Sequence, residues 1–274
     1  MNSKLIFLDI DGTLTSPGSN IPPDSALEAI RQAQANGHKV FLCSGRNPAM
    51  LSPLLKYNFE GAVASAGGYI FAGDQILFDC PMEKEDFENA MRLFKENGVF
   101  RTIEARDGSW CDPGMGEFLS RQTGGNSELL RWRKALEADL GIRPMSEYDG
   151  RPIYKIVFMC ESQSQLDPVR EAIGEKFNVL IQETFSKNCL NGEIINRKYD
   201  KGRGVRIVAE ALGYDIADTI GFGDSMNDLE MIETVGCSLC MENGSAALKA
   251  KSDIVCPAVD QDGLAWGFRH LGLC

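Results

Sequence analysis

Three short, mostly apolar runs in the first part of the chain have the length and composition of buried strands. They cover residues 5–8, 39–43 and 62–64. Two amphipathic segments separate them. The first opens at the capping-box pattern Ser25–Glu28 and is predicted to end at Gly37, and the second is predicted to run from Pro48 to Tyr57. This β-α-β-α-β order predicts a parallel sheet with right-handed crossovers.

The pattern changes after residue 68. Two apolar runs, 69–71 and 76–78, joined by Ala72-Gly73-Asp74-Gln75, predict a hairpin over 69–78. The next segment, 82–189, reads as an α+β module. Its predicted elements are a helix at 83–97, a strand at 99–105, one or two helices between 113 and 140, a strand at 153–160, a helix at 162–177 and a strand at 179–183.

The first pattern then resumes. A short strand is predicted at 193–196, followed by a helix at 201–212 with Asp200 as its cap and Gly213 as its stop. A buried strand at 219–222 and a helix reaching about 235 come next. The expected fold is therefore α/β, with a discontinuous domain of residues 1–81 and 190–274 and an inserted domain of residues 82–189.

Charge and apolar content exclude several classes of function. The formal net charge of −11 argues against a general nucleic-acid binder and against an anionic membrane surface, because both need a basic face. A small anionic ligand stays compatible with it. Only four apolar residues separate Lys4 from Asp9, which predicts that no signal peptide is present. No apolar run approaches the ~20 residues that span a bilayer.

The nine cysteines are odd in number and irregular in spacing. This usage is typical of reduced thiols, and it predicts a cytoplasmic protein. Cys237 and Cys240 form a CxxC pair, but no second CxxC or histidine pair completes four zinc ligands. The pair lies in an apolar run, so packing is the favoured interpretation over a redox or zinc role.

Two carboxylates, Asp9 and Asp11, directly follow the first predicted strand. Side chains two positions apart on a strand project to the same side, which predicts that these two share one space. Two like charges at that distance repel each other unless a cation lies between them. Such a pair suits a catalytic or metal site better than a buried strand.

Three further polar clusters follow predicted element boundaries. They are Ser44-Gly45-Arg46, Lys201, and Gly223-Asp224 with Asn227 and Asp228. Ligands of parallel sheets bind where strands end at their carboxyl side. Each cluster also has a plain structural interpretation: Ser44 as a helix cap, Lys201 as a surface lysine, and 224–228 as a turn.

The order of these clusters resembles a known superfamily. Asp9-Ile10-Asp11-Gly12-Thr13-Leu14 is similar to the first motif of the haloacid dehalogenase-like (HAD) superfamily, and Ser44, Lys201 and residues 223–228 look like its second, third and fourth motifs. The insertion point resembles that of the Cof-type phosphatases, which have a Rossmann-like core and a large α/β (type IIB) cap. Two positions depart from that pattern: Ala66, where relatives often have Asn, and Asp200, where Ser or Asn is common.

The resemblance implies a Mg²⁺-dependent phosphatase. It makes Asp9 the nucleophile that forms an aspartyl-phosphate, and Asp11 the general acid and then base. The implied metal ligands are Asp9, Asp224 and the backbone carbonyl of Asp11, with Asp228 acting through water or hydrogen bonds. The implied phosphate-binding groups are Gly12, Ser44, Gly45, Lys201 and Asn227.

The implied substrate is a small phosphorylated metabolite, with sugar phosphates as the expected class. The expected assembly is a monomer or weak homodimer. Arg46, Lys155 and Lys187 are candidates for reading the substrate, and an ion pair within the fold is equally open for Arg46. Two other functions stay open: a phosphotransferase of the phosphomannomutase type, and a non-catalytic sensor of phosphorylated ligands.

Overall fold

The computed structural model describes residues 3–121, 142–182 and 189–274. They form two compact units. One comprises Met1–Arg46, Leu51–Asp79 and Tyr199–Cys274, and the other comprises Asn47–Met50 and Cys80–Lys198. Each unit contains its own β-sheet.

The described strands and helices are numbered here in chain order. The strands are β1 (Leu5–Leu8), β2 (Lys39–Cys43), β3 (Gly61–Ala64), β4 (Tyr69–Ala72), β5 (Gln75–Asp79), β6 (Phe100–Ala105), β7 (Gly108–Cys111), β8 (Ile142–Pro144), β9 (Ile153–Cys160), β10 (Phe177–Gln182), β11 (Leu190–Asn196), β12 (Thr219–Gly223), β13 (Cys237–Met241) and β14 (Ile254–Cys256). The helices are α1 (Asp24–Ala35), α2 (Pro48–Leu55), α3 (Lys84–Glu96), α4 (Met115–Ser120), α5 (Gln163–Ile173), α6 (Lys201–Leu212), α7 (Leu229–Ile232), α8 (Ala246–Lys249) and α9 (Gly263–His270).

The first unit contains an eight-stranded sheet in the order β14-β13-β12-β1-β2-β3-β4-β5. Strand β1 pairs in parallel with β12 on one side and β2 on the other, and the hairpin β4–β5 adds antiparallel strands at one edge. All four residues of β1 are fully buried, which explains why this strand is a continuous apolar run instead of an alternating one. Val205 and Val208 of α6 pack into the same core as Phe7 and Phe41. The predicted parallel α/β fold is confirmed.

Helix ends in this unit match the sequence signals in part. Asp200 caps α6 by accepting a hydrogen bond from the Arg203 backbone N–H, and Gly213 ends it in the left-handed conformation. The capping box predicted at Ser25 is wrong. With Ser25 as the cap, the helix would begin at Ala26, but α1 begins two residues earlier, at Asp24 after Pro23. Ser25 therefore lies inside the first turn, and its hydroxyl donates to Asp262 instead.

The second unit contains a six-stranded sheet in the order β10-β11-β9-β6-β7-β8. Helices α3 and α5 cover one face, where Phe94 stacks on Phe158 next to Trp110. On the other face, Val157 and Met159 pack with Met115 and Phe118 of α4 and other apolar residues. Because both faces are covered, all eight residues of β9 are buried.

Several predicted elements differ from the observed ones. The sequence places the strand predicted at 193–196 in the large domain, but these residues are part of β11, which hydrogen-bonds to β9 and β10 on its two sides. The second compact unit therefore continues to Lys198. A long helix does not follow Asp224: a single 3₁₀ turn and the four-residue α7 take its place.

Some predictions fall on positions outside the described residues. These are the part of the 113–140 helical region beyond residue 121, residue 183 of the strand predicted at 179–183, and Lys187. Among the helices that are described, none combines the length and apolar character needed to cross a bilayer.

Candidate active site

Three neighbouring parallel strands place the predicted site residues at one edge of the first unit's sheet. Asp9 directly follows β1, Ser44 follows β2 and Asp224 follows β12. The in-register pairing of β1 with both neighbours puts these three carboxyl ends side by side. Lys201, the first residue of α6, contributes its ammonium group to the same place.

A tight turn separates the two carboxylates of the first motif. Strand β1 ends at Leu8, and the N–H groups of Thr13, Leu14 and Thr15 all donate to the Ile10 carbonyl. The strand periodicity therefore does not extend to Asp11, although the charge of Asp11 still contributes to the raised pKa of Asp9. The Asp11 carboxylate accepts hydrogen bonds from the Arg46 guanidinium.

The carboxylates that do converge are Asp9, Asp224 and Asp228. Each offers an oxygen within 4.8 Å of the other two, and all three residues are buried. The ammonium nitrogen of Lys201 lies 2.8 Å from Asp9 Oδ1 and 2.5 Å from Asp228 Oδ1. Its distance to Asn227 Oδ1 is 3.4 Å. Lys201 is 2% exposed, so the interpretation as a surface lysine is wrong.

Burial and crowding of negative charge shift the acidity of this cluster. Burial, followed by the charge of Asp228, raises the pKa of Asp9 to about 7. Burial, followed by the charge of Asp9, raises the pKa of Asp224 to about 9. Burial alone would lower the pKa of Lys201, but the Asp228 and Asp9 carboxylates more than offset it, so the net shift is upward. Three carboxylates thus share one ammonium group.

The donor set fits a hard divalent cation. Oδ1 of Asp224 is buried and has no hydrogen-bond partner among the described residues. Carboxylate oxygens are the ligands that Mg²⁺ takes in proteins, and a cation would offset the repulsion within this cluster. Asp228 is held differently: its Oδ2 accepts from the backbone N–H groups of Asp224 and Ser225. This contact matches an indirect role, in which Asp228 orients the Asp224 loop.

Ser44 is braced by an unusual backbone segment. Ser65, Ala66 and Gly67 are consecutive residues with positive φ angles of 51°, 56° and 104°. This conformation costs a non-glycine residue ~1–2 kcal/mol. It directs the Ala66 N–H to the Ser44 carbonyl and the Ser65 N–H to the Arg46 carbonyl. The position where relatives often have Asn is therefore a left-handed one, a conformation in which Asn is enriched several-fold over most residues.

The remaining residues that are predicted to bind phosphate lie in the same region. Ser44 is buried and its hydroxyl accepts from the Arg46 N–H, while helix α2 starts only at Pro48, so Ser44 does not cap that helix. Gly45 is half-buried between them. Gly12 has a φ of +95°, and an added Cβ there would lie 2.2 Å from Asp224 Oδ2.

Two functional candidates were missed by sequence reasoning. Asn243 donates from its side-chain amide to the Gly12 carbonyl, and its Oδ1 accepts from the Val259 N–H. It fixes the first motif from a turn far along the chain, and no local pattern marks it. Thr13 has a buried hydroxyl without a hydrogen-bond partner among the described residues, which makes it a further candidate for binding a phosphoryl oxygen. Its place directly after Gly12 was the available signal.

Comparison with known proteins agrees with this geometry. A family model described as haloacid dehalogenase-like hydrolase matches residues 6–268. The chain is 30% identical to "Putative phosphatase YkrA" of Bacillus subtilis, over 100% of this chain and 99% of that protein. It is 27% identical to 5-amino-6-(5-phospho-D-ribitylamino)uracil phosphatase YwtE of the same organism, over 98% of each.

Solved structures show the same fold. The structure of the HAD subclass IIB sugar phosphatase BT4131 superposes with a TM-score of 0.78, at 23% identity, over 99% of this chain and 100% of that one. The match to the family model extends across both compact units and all four motifs. The chain therefore belongs, as its motifs predict, to the phosphatases of the haloacid dehalogenase-like hydrolase family.

Proposed function

We propose that the protein is a Mg²⁺-dependent phosphatase that hydrolyses phosphate monoesters of small metabolites through an aspartyl-phosphate on Asp9. The observation that carries this proposal is the Lys201 ammonium, which bridges Asp9 and Asp228 beside the unpartnered oxygen of Asp224. One ammonium group offsets at most one of the three buried negative charges, so the cluster matches a site that also receives a cation.

In the first step, a carboxylate oxygen of Asp9 attacks phosphorus. An O–P bond forms to Asp9, the bond from phosphorus to the ester oxygen breaks, and Asp11 gives a proton to the departing alkoxide. The nucleophile and the proton donor are proposed to be two different carboxyl groups. Their partners differ, because Asp11 accepts hydrogen bonds from Arg46 and Asp9 accepts one from Lys201.

In the second step, the Asp11 carboxylate takes a proton from water. The water oxygen attacks the phosphorus of the aspartyl-phosphate, the bond to Asp9 breaks, and inorganic phosphate leaves. Lys201 and the Ser44 hydroxyl are the groups proposed to hold phosphoryl oxygens during both steps. Asp9, Asp224 and the Asp11 backbone carbonyl would hold the Mg²⁺, which would supply positive charge that offsets the negative charge of the phosphoryl group.

The proposed substrates are phosphorylated metabolites with a sugar or polyol part. The supporting facts are the names of two similar proteins, one a sugar phosphatase and the other a phosphatase of a phosphoribityl compound. Substrate choice is proposed to lie in the second unit. The proposed setting is the cytoplasm, and the proposed assembly is a monomer or weak homodimer.

The test is turnover of p-nitrophenyl phosphate by the wild type and by Asp9→Asn. Because the amide is a poor nucleophile, we expect turnover to fall below detection while circular dichroism and the unfolding temperature show an intact fold. Asp218→Asn is the control, since Asp218 pairs with Lys4 outside the cluster. Full activity of Asp9→Asn would refute the covalent mechanism.

A second measurement separates the enzyme from the alternatives. A panel of phosphorylated metabolites is assayed with EDTA and with Mg²⁺, and both inorganic phosphate and isomerised sugar phosphate are quantified. Phosphate release that requires Mg²⁺ supports the proposal. Isomerisation that requires a bisphosphate activator would indicate a mutase, and binding without turnover would indicate a sensor.

A further inference from the structure

Arg46 forms a two-point contact with Asp11. Its Nε donates to Asp11 Oδ2 at 2.8 Å, and its Nη2 donates to Asp11 Oδ1 at 2.7 Å. The Arg46 side chain is 5% exposed and that of Asp11 is 17% exposed. Two parallel hydrogen bonds from a planar guanidinium fix the plane of a carboxylate as well as its position, which a lysine ammonium cannot do.

Arg46 is itself held in place from several sides. Its Nη1 donates to Asn20 Oδ1 at 2.6 Å, and its Nη2 also reaches the Ser19 carbonyl at 3.2 Å. Its backbone N–H donates to the Ser44 hydroxyl, and its carbonyl accepts from the Ser65 N–H. The guanidinium therefore connects the segment that carries Ser44 to the carboxylate of the first motif.

Directional contacts define the plane of the Asp11 carboxylate. Strand β1 has ended before Asp11, and the carboxylate also accepts a hydrogen bond from the Gly18 backbone N–H, at 2.8 Å. A terminal carboxylate torsion is intrinsically broad, and the two-point contact with Arg46 narrows it. A group that gives a proton to one oxygen and takes a proton from another must hold one orientation through both events.

We propose that Arg46 is the positioning residue for Asp11, and that its two-point contact sets the direction in which Asp11 exchanges protons with the leaving group and with water. This inference rests on the proposed function, in which Asp11 is the general acid and base. Arg46 acts through Asp11 and does not itself transfer a proton in the reaction.

The test compares two esters that differ in their need for a proton donor. p-Nitrophenolate leaves readily without a proton, whereas the sugar alkoxide of ribose 5-phosphate needs one. General acid catalysis contributes ~10²–10⁴-fold. Arg46→Lys keeps the positive charge but loses the planar, two-point donor. We expect it to lower kcat/KM for ribose 5-phosphate by ~10–100-fold. The fall in kcat/KM for p-nitrophenyl phosphate should be smaller than this by a factor of about ten. The ratio kcat/KM reports the steps up to formation of the aspartyl-phosphate.

The second arm repeats the substitution in Asp11→Asn, with p-nitrophenyl phosphate as the substrate. If Arg46 acts through Asp11, the added Arg46→Lys change lowers the rate of Asp11→Asn by no more than about twofold, since the two losses are not additive. Arg46→Gln, which is shorter and neutral, gives a second measurement if Arg46→Lys unfolds.

The matched control is Arg101→Lys in the second unit. Arg101 makes the same two-point contact with Asp112, at 2.6 and 2.7 Å, and both side chains are 11% exposed. We expect a similar loss of stability there with an unchanged ratio of the two substrate activities.

Either of two results would overturn the proposal. The first is that kcat/KM of the Arg46 variants falls equally for both substrates, or does not change for either. The second is that Arg46→Lys lowers kcat/KM as much in the Asp11→Asn background as in the wild type. Failure of the proposed function is visible separately, because then the wild type hydrolyses neither ester or Asp9→Asn retains activity.

Discussion

Replacing Gly12 by alanine should damage catalysis far more than it damages the fold. Gly12 lies in the turn of the first motif with a φ of +95°, and a Cβ at this position would lie 2.2 Å from Asp224 Oδ2. The added methyl group and the carboxylate of a proposed metal ligand would occupy the same space. The substitution therefore tests whether Asp224 must lie where the structure places it.

The expected size of the effect has two parts. A positive φ costs a residue with a Cβ ~1–2 kcal/mol of folding free energy. The clash requires Asp224 to move by about 1.2 Å, the difference between 2.2 Å and an ordinary contact of 3.4 Å. A displacement of ~1 Å in a catalytic constellation can lower the rate by ~10²-fold.

Gly37 provides a matched control. It has a φ of +88°, and nothing lies within 4 Å of the position that a Cβ would take. Gly37→Ala should therefore lose a similar ~1–2 kcal/mol of folding free energy, because of its backbone conformation, and keep its activity.

The assay combines chemical denaturation with turnover of p-nitrophenyl phosphate at several Mg²⁺ concentrations. We expect kcat/KM of Gly12→Ala to fall by ~100-fold and its requirement for Mg²⁺ to rise. A wild-type rate in Gly12→Ala, or an equal loss of activity in both variants, would refute the placement of Asp224 as a metal ligand.

Two further predictions concern the charges of the cluster. Because the pKa of Asp9 is raised to about 7 and that of Asp224 to about 9, the metal-free folded protein keeps protons that the unfolded chain releases near pH 4. Its free energy of unfolding should therefore fall by about 2 kcal/mol for one retained proton as the pH rises from ~6.5 to ~8, and Mg²⁺ should suppress this fall. Thermal unfolding in EDTA and in Mg²⁺ measures both effects. A metal-free protein that gains stability over this pH range would contradict the prediction. Lys201→Met removes the ammonium partner of the buried Asp9 and Asp228, so denaturation should show a loss of ~3–5 kcal/mol. An unchanged stability of that variant would mean that Lys201 does not compensate the charge of these two groups.

Local sequence patterns were sufficient for the elements that carry the site. The apolar runs at β1, β2 and β12 indicate strands because a strand that is covered on both faces has no solvent-exposed face, so its sequence is continuously apolar. Asp200 and Gly213 mark the ends of α6 because their side-chain chemistry and backbone freedom act within one turn. The same local reasoning failed at Ser25, where Pro23 shifted the start of the helix.

Predictions that depended on partners distant in sequence were less secure. Residues 190–196 look like any short strand, and only their hydrogen bonds to β9 and β10 assign them to the second unit. Asn243 reaches Gly12 across 231 positions of the chain, and nothing in the surrounding sequence indicates this contact.

The sequence by itself indicated the family and its phosphatase chemistry, since the proposed nucleophile, the lysine, the proposed metal-binding carboxylate and their order along the chain are all local features. Tertiary structure decided how the charges are divided. The sequence placed Asp9 and Asp11 close together in the chain, but only the structure shows that the Asp11 carboxylate pairs with Arg46 while Asp9 pairs with Lys201 beside Asp224 and Asp228. The physical reason is that charge pairing depends on distances in space. Strand pairing and the turns set these distances, and the spacing of residues along the chain does not.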